Sequence, residues 1–183
     1  MKYYLVALFD DESYSHIEKI QKSICKKYKL YRNMPLLHLT LEIIDESKNL
    51  EEACRVIRDI LKPYKKFKIS INGAICFDAP YKSVNLNVEN KGYIMRLTRQ
   101  INDRLKLCGF KVREDVESWD LHISLANTNY ATRQWSNKEY ANTCEVVKEM
   151  NIQKNITVKE IQLWKPINNK KEMVVESFPL KDY

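Results

Sequence analysis

The chain has 183 residues, of which 44% are hydrophobic and 30% charged, and it contains only 3 glycines and 5 prolines. These proportions exclude a disordered or low-complexity protein and are typical of an ordered chain that buries a core. The formal net charge of +7 permits a polyanionic partner without requiring one, because the lysines are spread among acidic residues.

In the first half of the chain, segments whose apolar residues recur with the period of a strand alternate with segments that have the period of a helix. The predicted elements are a strand over 3–9, a helix over 12–28, a strand over 36–44, a helix over 50–61 and a strand over 67–77. Asp10 and Asp11 supply carboxylates for the start of the first helix. Asp45, Glu46 and Ser47 are predicted to end the second strand as turn and capping residues.

The second half nearly repeats this order. Its predicted elements are a strand over 83–88, a helix over 93–107, a strand over 121–126, a helix over 136–151, and strands over 156–164 and 173–178. Ser136 and Glu139 have the spacing of a capping box, and the strand over 83–88 is expected to form an antiparallel hairpin with the strand before it. The repeat predicts an α+β fold with two pseudo-symmetric lobes of antiparallel sheet, outer helices and a cleft between the lobes, in a single domain over residues 1–183.

The five cysteines form no CxxC pair and no Cys–His cluster with the spacing of a zinc site. Their odd number, and the absence of a signal peptide, predict free thiols and a reducing cytoplasmic location. No apolar run approaches the length of a membrane span, so we expect no membrane partner.

Two of the three histidines lie in copies of one four-residue pattern. His38-Leu39-Thr40-Leu41 and His122-Ile123-Ser124-Leu125 are both histidine, apolar, hydroxyl, apolar, and both lie on predicted strands. Because side chains alternate faces along a strand, the histidine and the hydroxyl of each pattern project from the same face. His16 lies on the first predicted helix without this pattern, and we expect it to be an exposed or capping residue. Two copies in a repeated context predict a cleft lined by two histidines and two hydroxyls.

Two histidines can cleave a phosphodiester without a metal, since one can accept a proton and the other can donate one near neutral pH. Thr40 and Ser124 would then donate hydrogen bonds to the non-bridging oxygens. A metal site is the rival interpretation, but neither pattern has a third ligand at suitable spacing, and Glu42 shares the face of His38 only by alternation. A Ser–His triad would need an acidic partner and a glycine-rich turn, which Ser124 lacks.

On the eight residues of the two patterns, the chain resembles the 2H phosphoesterase superfamily, often labelled 2′-5′ RNA ligase-like. That family carries a pair of H-x-[T/S]-x motifs on strands of two pseudo-symmetric lobes. The resemblance implies that His38 and His122 are the acid–base pair, that Thr40 and Ser124 hold the phosphate, and that no metal or other cofactor is needed. It also implies a substrate among 2′,3′-cyclic phosphates of RNA or nucleotides, 2′-5′ oligoadenylates, ADP-ribose cyclic phosphates and cyclic-nucleotide signals.

Several residues near the motifs are candidates for binding substrate. Asn127, Asn129, Tyr130 and Arg133 follow the second motif, and Arg133 is predicted to pair with a phosphate or stack on a base. Phe77, Tyr81 and Trp164 lie at or near strand ends and are candidates for a base-stacking wall. Packing in the core is the commoner role of aromatic residues at such positions.

The sequence therefore predicts a metal-independent phosphodiesterase that acts on a nucleotide or RNA phosphodiester, with a 2′,3′-cyclic phosphate or a 2′-5′ linkage preferred. No obligate protein partner is predicted, and the acid and the base are not distinguished. A module that binds RNA or nucleotide phosphates without turnover stays open as an alternative, as does a structural protein with vestigial motifs.

Overall fold

The structure of the protein is a computed structural model, which describes residues 1–45 and 49–183. Over these residues it contains seven strands and four helices, each within a few residues of its predicted bounds. Their order is β1 (Lys2–Phe9), α1 (Asp11–Tyr28), β2 (Leu39–Asp45), α2 (Leu50–Leu61), β3 (Phe67–Phe77), β4 (Ser83–Val88), α3 (Gly92–Leu107), β5 (His122–Ala126), α4 (Asn137–Glu149), β6 (Gln153–Trp164) and β7 (Val174–Pro179). The turn predicted to include Glu46 and Ser47 lies outside the described residues.

The predicted helix starts are present in the structure. The Asp10 side chain accepts a hydrogen bond from the Ser13 backbone N–H at 2.9 Å and so caps α1. Ser136 and Glu139 form the predicted capping box of α4, each side chain bonding the other residue's backbone N–H. These caps satisfy N–H groups that have no partner inside the helix, which is why α1 and α4 begin where the sequence predicts.

The strands form one antiparallel sheet in the order β1-β2-β5-β4-β3-β6-β7, and β6 also pairs with β1. Val158 of β6 pairs in register with Phe9 of β1 and also with Phe67 of β3. Strands β1 and β3 therefore lie on opposite edges of β6. The pairing therefore runs from β1 through β2, β5, β4, β3 and β6 and back to β1, while β7 pairs with β6 outside this circuit.

Each half of the chain has the order strand, helix, strand, helix, strand, from β1 to β3 and from β4 to β6. The closing strand of each half pairs with the opening strand of the other half, β3 with β4 and β6 with β1. The groups β2-β1-β6 and β5-β4-β3 are therefore each built from both halves. The predicted α+β fold with an antiparallel sheet and outer helices is confirmed, whereas the division of residues 1–183 as a single two-lobed domain stays a prediction.

The two motif strands meet at the centre of this arrangement, where Leu39 of β2 pairs with Ile123 of β5. Leu39, Leu41, Ile123 and Leu125 are at most 1% exposed and belong to the main core cluster. Side chains alternate along a strand, so this burial turns the histidine and hydroxyl of each motif to the opposite face. Burial of the apolar residues in the core thus fixes the direction of the polar ones.

Two findings concern expectations drawn from composition. Within residues 1–45 and 49–183, no helix is both long and apolar enough to cross a bilayer. Cys76 of β3 and Cys144 of α4 form a disulfide, with Cα atoms 6.3 Å apart, which corrects the expectation of free thiols for this pair. Cys25 and Cys54 are buried free thiols and Cys108 is an exposed one. Cysteines 68 residues apart in sequence carry no local pattern that reveals their contact.

Candidate active site

The structure brings His38, Thr40, His122 and Ser124 together in one cleft of about 500 Å³. His38 directly precedes β2 and His122 begins β5, and the two strands are antiparallel. The cleft is within the range of volumes that bind small ligands in proteins. Each motif therefore delivers one histidine and one hydroxyl to the same space.

Both imidazole rings are held in the same way by the backbone. Nδ1 of His38 is 2.7 Å from the carbonyl oxygen of Leu36, and Nδ1 of His122 is 2.7 Å from that of Asp120. Because a carbonyl oxygen can only accept, each Nδ1 carries a proton and donates it. Nε2 is then the nitrogen available for proton transfer in both residues.

Burial is the main electrostatic influence on the two histidines. It lowers the pKa of His38, and the charge of His122 lowers this pKa further, whereas the hydrogen bond to Leu36 raises it. Burial also lowers the pKa of His122; the hydrogen bond to Asp120 raises it, and the nearby Arg113 cation lowers it. Both rings are therefore biased toward the neutral form, in which Nε2 can accept a proton. A phosphate anion beside them would shift this balance back toward the imidazolium.

An aromatic side chain packs against each imidazole. The rings of His38 and Trp164 have centroids 4.7 Å apart at 61°, and those of His122 and Phe77 have centroids 5.0 Å apart at 75°. Trp164 ends β6 and Phe77 ends β3, the closing strands that the two halves exchange. Each motif histidine is thus oriented by a carbonyl of its own half and by an aromatic ring from the other half.

The hydroxyl of Ser124 is oriented by the loop that follows β5. Its oxygen accepts a hydrogen bond from Nδ2 of Asn127 at 2.8 Å. Oδ1 of Asn127 accepts from the backbone N–H of Asn129 at 2.7 Å, which fixes the orientation of the amide. The Tyr31 hydroxyl donates to the carbonyl of Asn127 at 2.6 Å and accepts from its N–H at 2.8 Å. With Asn127 donating to Ser124, the hydroxyl proton of Ser124 is free to be donated to a ligand.

The predicted substrate-binding residues divide into two groups. Phe77, Tyr81, Tyr130 and Trp164 line the cleft, where Tyr81 and Tyr130 are 65% and 51% exposed and Trp164 is 4% exposed. Arg133 lies outside the cleft, and its guanidinium donates to the carbonyl of Tyr28 and forms an ion pair with Glu139. This placement corrects the expectation that Arg133 contacts substrate, because its donors are already used to hold the loop against the helices.

Other residues of the cleft were not singled out by the sequence. Tyr4 of β1 and Asn85 of β4 lie on the opening strands of the two halves, beside the motif strands. Asn85 is fully buried, pairs in register with Ser124, and donates from Nδ2 to the Ile75 carbonyl at 2.9 Å. The alternation of side chains along each strand could have shown which residues share a face with Tyr4 or with Asn85. It could not have shown that this face lines a cleft.

Glu42 and His16 have no direct place in the cleft. Glu42 is fully buried, and its carboxylate accepts hydrogen bonds from Asn102 of α3 and from the backbone N–H of Arg113. It therefore ties β2 to α3 and to the following loop, where the Arg113 guanidinium lies 4.1 Å from the centre of the Trp119 ring. His16 is partly exposed on α1. In the part of the chain that the structure describes, no group of three or more His, Cys, Asp or Glu residues is placed to hold a metal ion.

Comparison with known proteins shows a family match and several similar folds. The model of the 2′-5′ RNA ligase superfamily matches residues 9–170. The crystal structure of TT0787 of Thermus thermophilus has a TM-score of 0.68 at 15% identity, covering 100% of this chain and 99% of that one. That of E. coli LigT complexed with 3′-AMP has a TM-score of 0.62 at 13% identity, covering 98% and 97%. That of a phosphoesterase has a TM-score of 0.58 at 12% identity, covering 99% of both chains. At these identities the structural likeness shows the fold alone.

Proposed function

The chain belongs to the 2′-5′ RNA ligase superfamily, the family of the 2H phosphoesterases, and we propose that it is a metal-independent phosphodiesterase. The proposed substrates are nucleotide or RNA phosphodiesters, with a 2′,3′-cyclic phosphate or a 2′-5′ linkage preferred and cyclic oligonucleotide signals included. One observation carries the proposal: both motif histidines hold Nδ1–H on a backbone carbonyl in one cleft, which leaves two Nε2 atoms for proton transfer.

For a 2′,3′-cyclic phosphate, the neutral histidine takes a proton from water at Nε2 as the water oxygen bonds to phosphorus. The protonated histidine gives its Nε2 proton to the ribose oxygen as the bond from that oxygen to phosphorus breaks. Thr40 and Ser124 donate hydrogen bonds to the non-bridging oxygens, where negative charge increases in the transition state. The product is a nucleoside monophosphate.

For a 2′-5′ linkage, the free 3′-hydroxyl of the same ribose is the proposed nucleophile. The neutral histidine removes its proton, and the protonated histidine supplies one to the departing 5′ oxygen. The products are a 2′,3′-cyclic phosphate and a shortened chain. The same residues therefore serve both substrates in the same roles, although the nucleophile and the leaving oxygen both differ.

Two further observations support a nucleotide as the ligand. E. coli LigT, whose fold is similar, has been crystallised with 3′-AMP and with ATP. In this chain the exposed side chain of Lys165 lies on the cleft and supplies a cation that favours an anionic ligand.

The test is incubation of the purified protein, in EDTA, with 2′,3′-cyclic nucleotides, 2′-5′ oligoadenylate and cyclic dinucleotides. His38→Ala and His122→Ala are compared with His16→Ala, a matched control because His16 lies on α1 outside the cleft. We expect turnover that survives chelation, is lost in both motif variants and is kept in the control. Tight binding without turnover would favour a phosphate-binding module instead. Turnover that requires an added metal would overturn the mechanism.

A further inference from the structure

We infer that a groove remote from the cleft binds single-stranded RNA, and that this groove makes longer RNA chains better substrates than mononucleotides. The groove lies between the start of β3 and the first half of α3. We call it the distal groove, and its lining includes Lys65, Lys66, Lys68, Tyr93, Arg96 and Tyr183. The inference rests on the proposed function, which takes RNA as one of its substrates.

The distal groove is well separated from the cleft. Phe67 begins β3 and lines the groove, whereas Phe77 ends the same strand and lines the cleft. A strand rises about 3.3 Å per residue, so the two sites are roughly 30 Å apart. The groove has a volume of about 810 Å³, within the range of ligand sites in proteins. It can therefore hold a part of a ligand that does not react.

The distal groove collects positive charge that the protein neutralises only in part. Lys66 pairs with Asp182, but Lys65, Lys68 and Arg96 form no ion pair within residues 1–45 and 49–183. In the same part of the chain, no Asp or Glu side chain lines the groove. Cations held close together create a positive potential, and an anion that binds there relieves their repulsion. The charge of the groove therefore favours a ligand with several phosphates.

An exposed tyrosine ring lies among these cations. The ring of Tyr93 has its centroid 6.1 Å from that of the buried Phe67, and the Arg96 guanidinium lies 5.3 Å from its centre. These contacts limit the motion of the ring, while Tyr93 stays 58% exposed and Tyr183 beside it is 77% exposed. Bases that stack on aromatic rings, with cations on the phosphates, are the usual contacts of single-stranded nucleic acids. An acidic peptide would use the cations and leave the rings without a partner.

The backbone around the groove is held by hydrogen bonds. The N–H of Lys66 donates to the carbonyl of Lys181 at 2.8 Å, and Lys65 and Lys181 form a β-bridge. The Tyr64 hydroxyl donates to Oε1 of Gln100 at 3.0 Å, which ties this segment to α3. The lysines and Tyr93 are therefore positioned before a ligand arrives, which lowers the cost of ordering them on binding.

The distal groove continues as a second depression along α3, and the two share Arg96 and Gln100. Arg99, Asp103 and Arg104 line this continuation. Arg99 pairs with Glu117, whereas Arg104 forms no ion pair with any described residue. An elongated site with cations along its length fits a strand of several nucleotides better than a single phosphate.

The first experiment measures binding by fluorescence anisotropy of a labelled oligoadenylate of about 20 nucleotides, longer than most single-strand sites. Tyr93→Ala should weaken binding by about tenfold through lost stacking, and Tyr93→Phe should keep the affinity. Lys65→Gln together with Lys68→Gln should make the slope of log K against log salt shallower by about 1.4, because two phosphate contacts are lost. Lys138→Gln with Lys148→Gln is the matched control: it removes the same charge from exposed positions on α4, outside the groove, and should leave the slope unchanged.

A polyglutamate of similar charge tests the rival ligand. It should bind more weakly than the oligoadenylate and should not respond to Tyr93→Ala. Equal affinity of the wild-type protein for both polymers would overturn the inference. So would equal effects of the two double variants on binding of the oligoadenylate. Thermal unfolding checks that each variant is folded, and the lysine variants decide the result if Tyr93→Ala is not, because both lysine side chains are exposed.

The second experiment compares kcat/KM for adenosine 2′,3′-cyclic phosphate with that for an oligoadenylate of about 20 nucleotides that ends in the same cyclic phosphate. We expect the oligomer to be preferred by about tenfold or more, because binding at two linked sites raises the apparent affinity. Lys65→Gln with Lys68→Gln should remove most of this preference by raising KM for the oligomer. Equal kcat/KM for both substrates in the wild-type protein would overturn the inference and leave the proposed function intact. Turnover of neither substrate would overturn the proposed function, while oligoadenylate binding that depends on Tyr93 and the two lysines would still support the distal RNA site.

Discussion

At the scale of single residues, the site depends on how the backbone positions two imidazole rings. A histidine becomes useful for proton transfer when one nitrogen is fixed by a hydrogen bond, because the other nitrogen then has a defined direction and tautomer. In this chain the fixing group is the carbonyl two residues before each histidine, Leu36 for His38 and Asp120 for His122. No side chain is needed for this, so both motifs can be short.

The pH dependence of turnover follows from the burial of these rings. Burial lowers the pKa of both histidines below the ordinary value of 6.5. The base must be neutral, so activity falls as the pH drops through the pKa of the base. The acid must be protonated, so activity falls as the pH rises through the pKa of the acid. We expect a bell-shaped profile of kcat/KM for a 2′,3′-cyclic nucleotide with its maximum below pH 6.5. A maximum above that value would contradict the bias toward the neutral form.

Asn127 is expected to act through Ser124. Its Nδ2 donates to the Ser124 oxygen, which leaves the hydroxyl proton for the substrate phosphate. Asn127→Asp replaces this donor with an acceptor, so the Ser124 proton turns to the carboxylate and a negative charge enters the site. We expect kcat to fall by about a hundredfold in Asn127→Asp, the lower end of the range for loss of a transition-state donor. In Asn127→Ala we expect a smaller fall of about tenfold, because the Ser124 hydroxyl stays available as a donor.

The control for Asn127 is the Ser124→Ala background, which has no hydroxyl to orient. Asn127→Ala should cost little further activity there, because the two side chains act as one unit. Full additivity of the two substitutions would show that Asn127 acts independently of Ser124. The comparison is made from kcat at saturating substrate, so that changes in KM do not enter.

At the scale of helices and strands, the exchange of closing strands couples the two halves at the proposed catalytic centre. Trp164 at the end of β6 packs on His38, and Phe77 at the end of β3 packs on His122. Neither half could therefore supply a fully oriented histidine alone. We therefore expect these aromatic residues to affect turnover through the position of each imidazole ring.

Trp164→Phe tests this coupling, because it keeps an aromatic ring but changes its size and its contact with His38. We expect kcat to fall by about tenfold, the effect of roughly 1.4 kcal/mol, which is comparable with an aromatic pair contact. Trp135→Phe is the matched control, since Trp135 is 2% exposed and packs on Tyr28 and Tyr140 outside the cleft. Both variants should lower thermal stability, and only Trp164→Phe should lower kcat. An equal loss of kcat in both would assign the effect to stability.

The elements were predictable because their signals are local. Apolar periodicity and caps such as Ser136 with Glu139 depend on neighbouring residues, and they place every described element within a few residues. The packing of Phe77 and Trp164 on the histidines was not predictable, because it depends on which strands of the two halves exchange. The pairing of Cys76 with Cys144 is likewise a contact across 68 residues.

The prediction that Arg133 contacts substrate was wrong even though Arg133 is close to the second motif in sequence. Closeness in sequence to the second motif favoured a phosphate contact, but the side chain turns away from the cleft to Glu139 and to the Tyr28 carbonyl. A loop after a strand can direct an arginine to either side, and sequence spacing alone does not decide which. Asn127 lies in the same loop and does reach the site through Ser124.

At the scale of the whole molecule, the proposed catalytic centre is nearly symmetric, because His38 and His122 have the same carbonyl contact at 2.7 Å and each packs on one aromatic ring. The attacking and leaving oxygens of a phosphoryl transfer are roughly in line. In the hydrolysis of a 2′,3′-cyclic phosphate we therefore expect one histidine to face the water as the base and the other to face the leaving ribose oxygen as the acid.

A substrate with sulfur in place of the leaving ribose oxygen separates these two roles. Whether the product is a 2′- or a 3′-phosphate first identifies the leaving position. A thiol has a pKa of about 8.5, far below that of an alcohol, so a thiolate departs without a proton. With the oxygen substrate, both His38→Ala and His122→Ala should lose about 10²–10⁴-fold in kcat. With the sulfur substrate, the variant that lacks the acid should recover most of this loss, whereas the variant that lacks the base should not, because water must still be deprotonated. Recovery in one variant alone assigns the two roles, and recovery in both or in neither would contradict a division into one acid and one base.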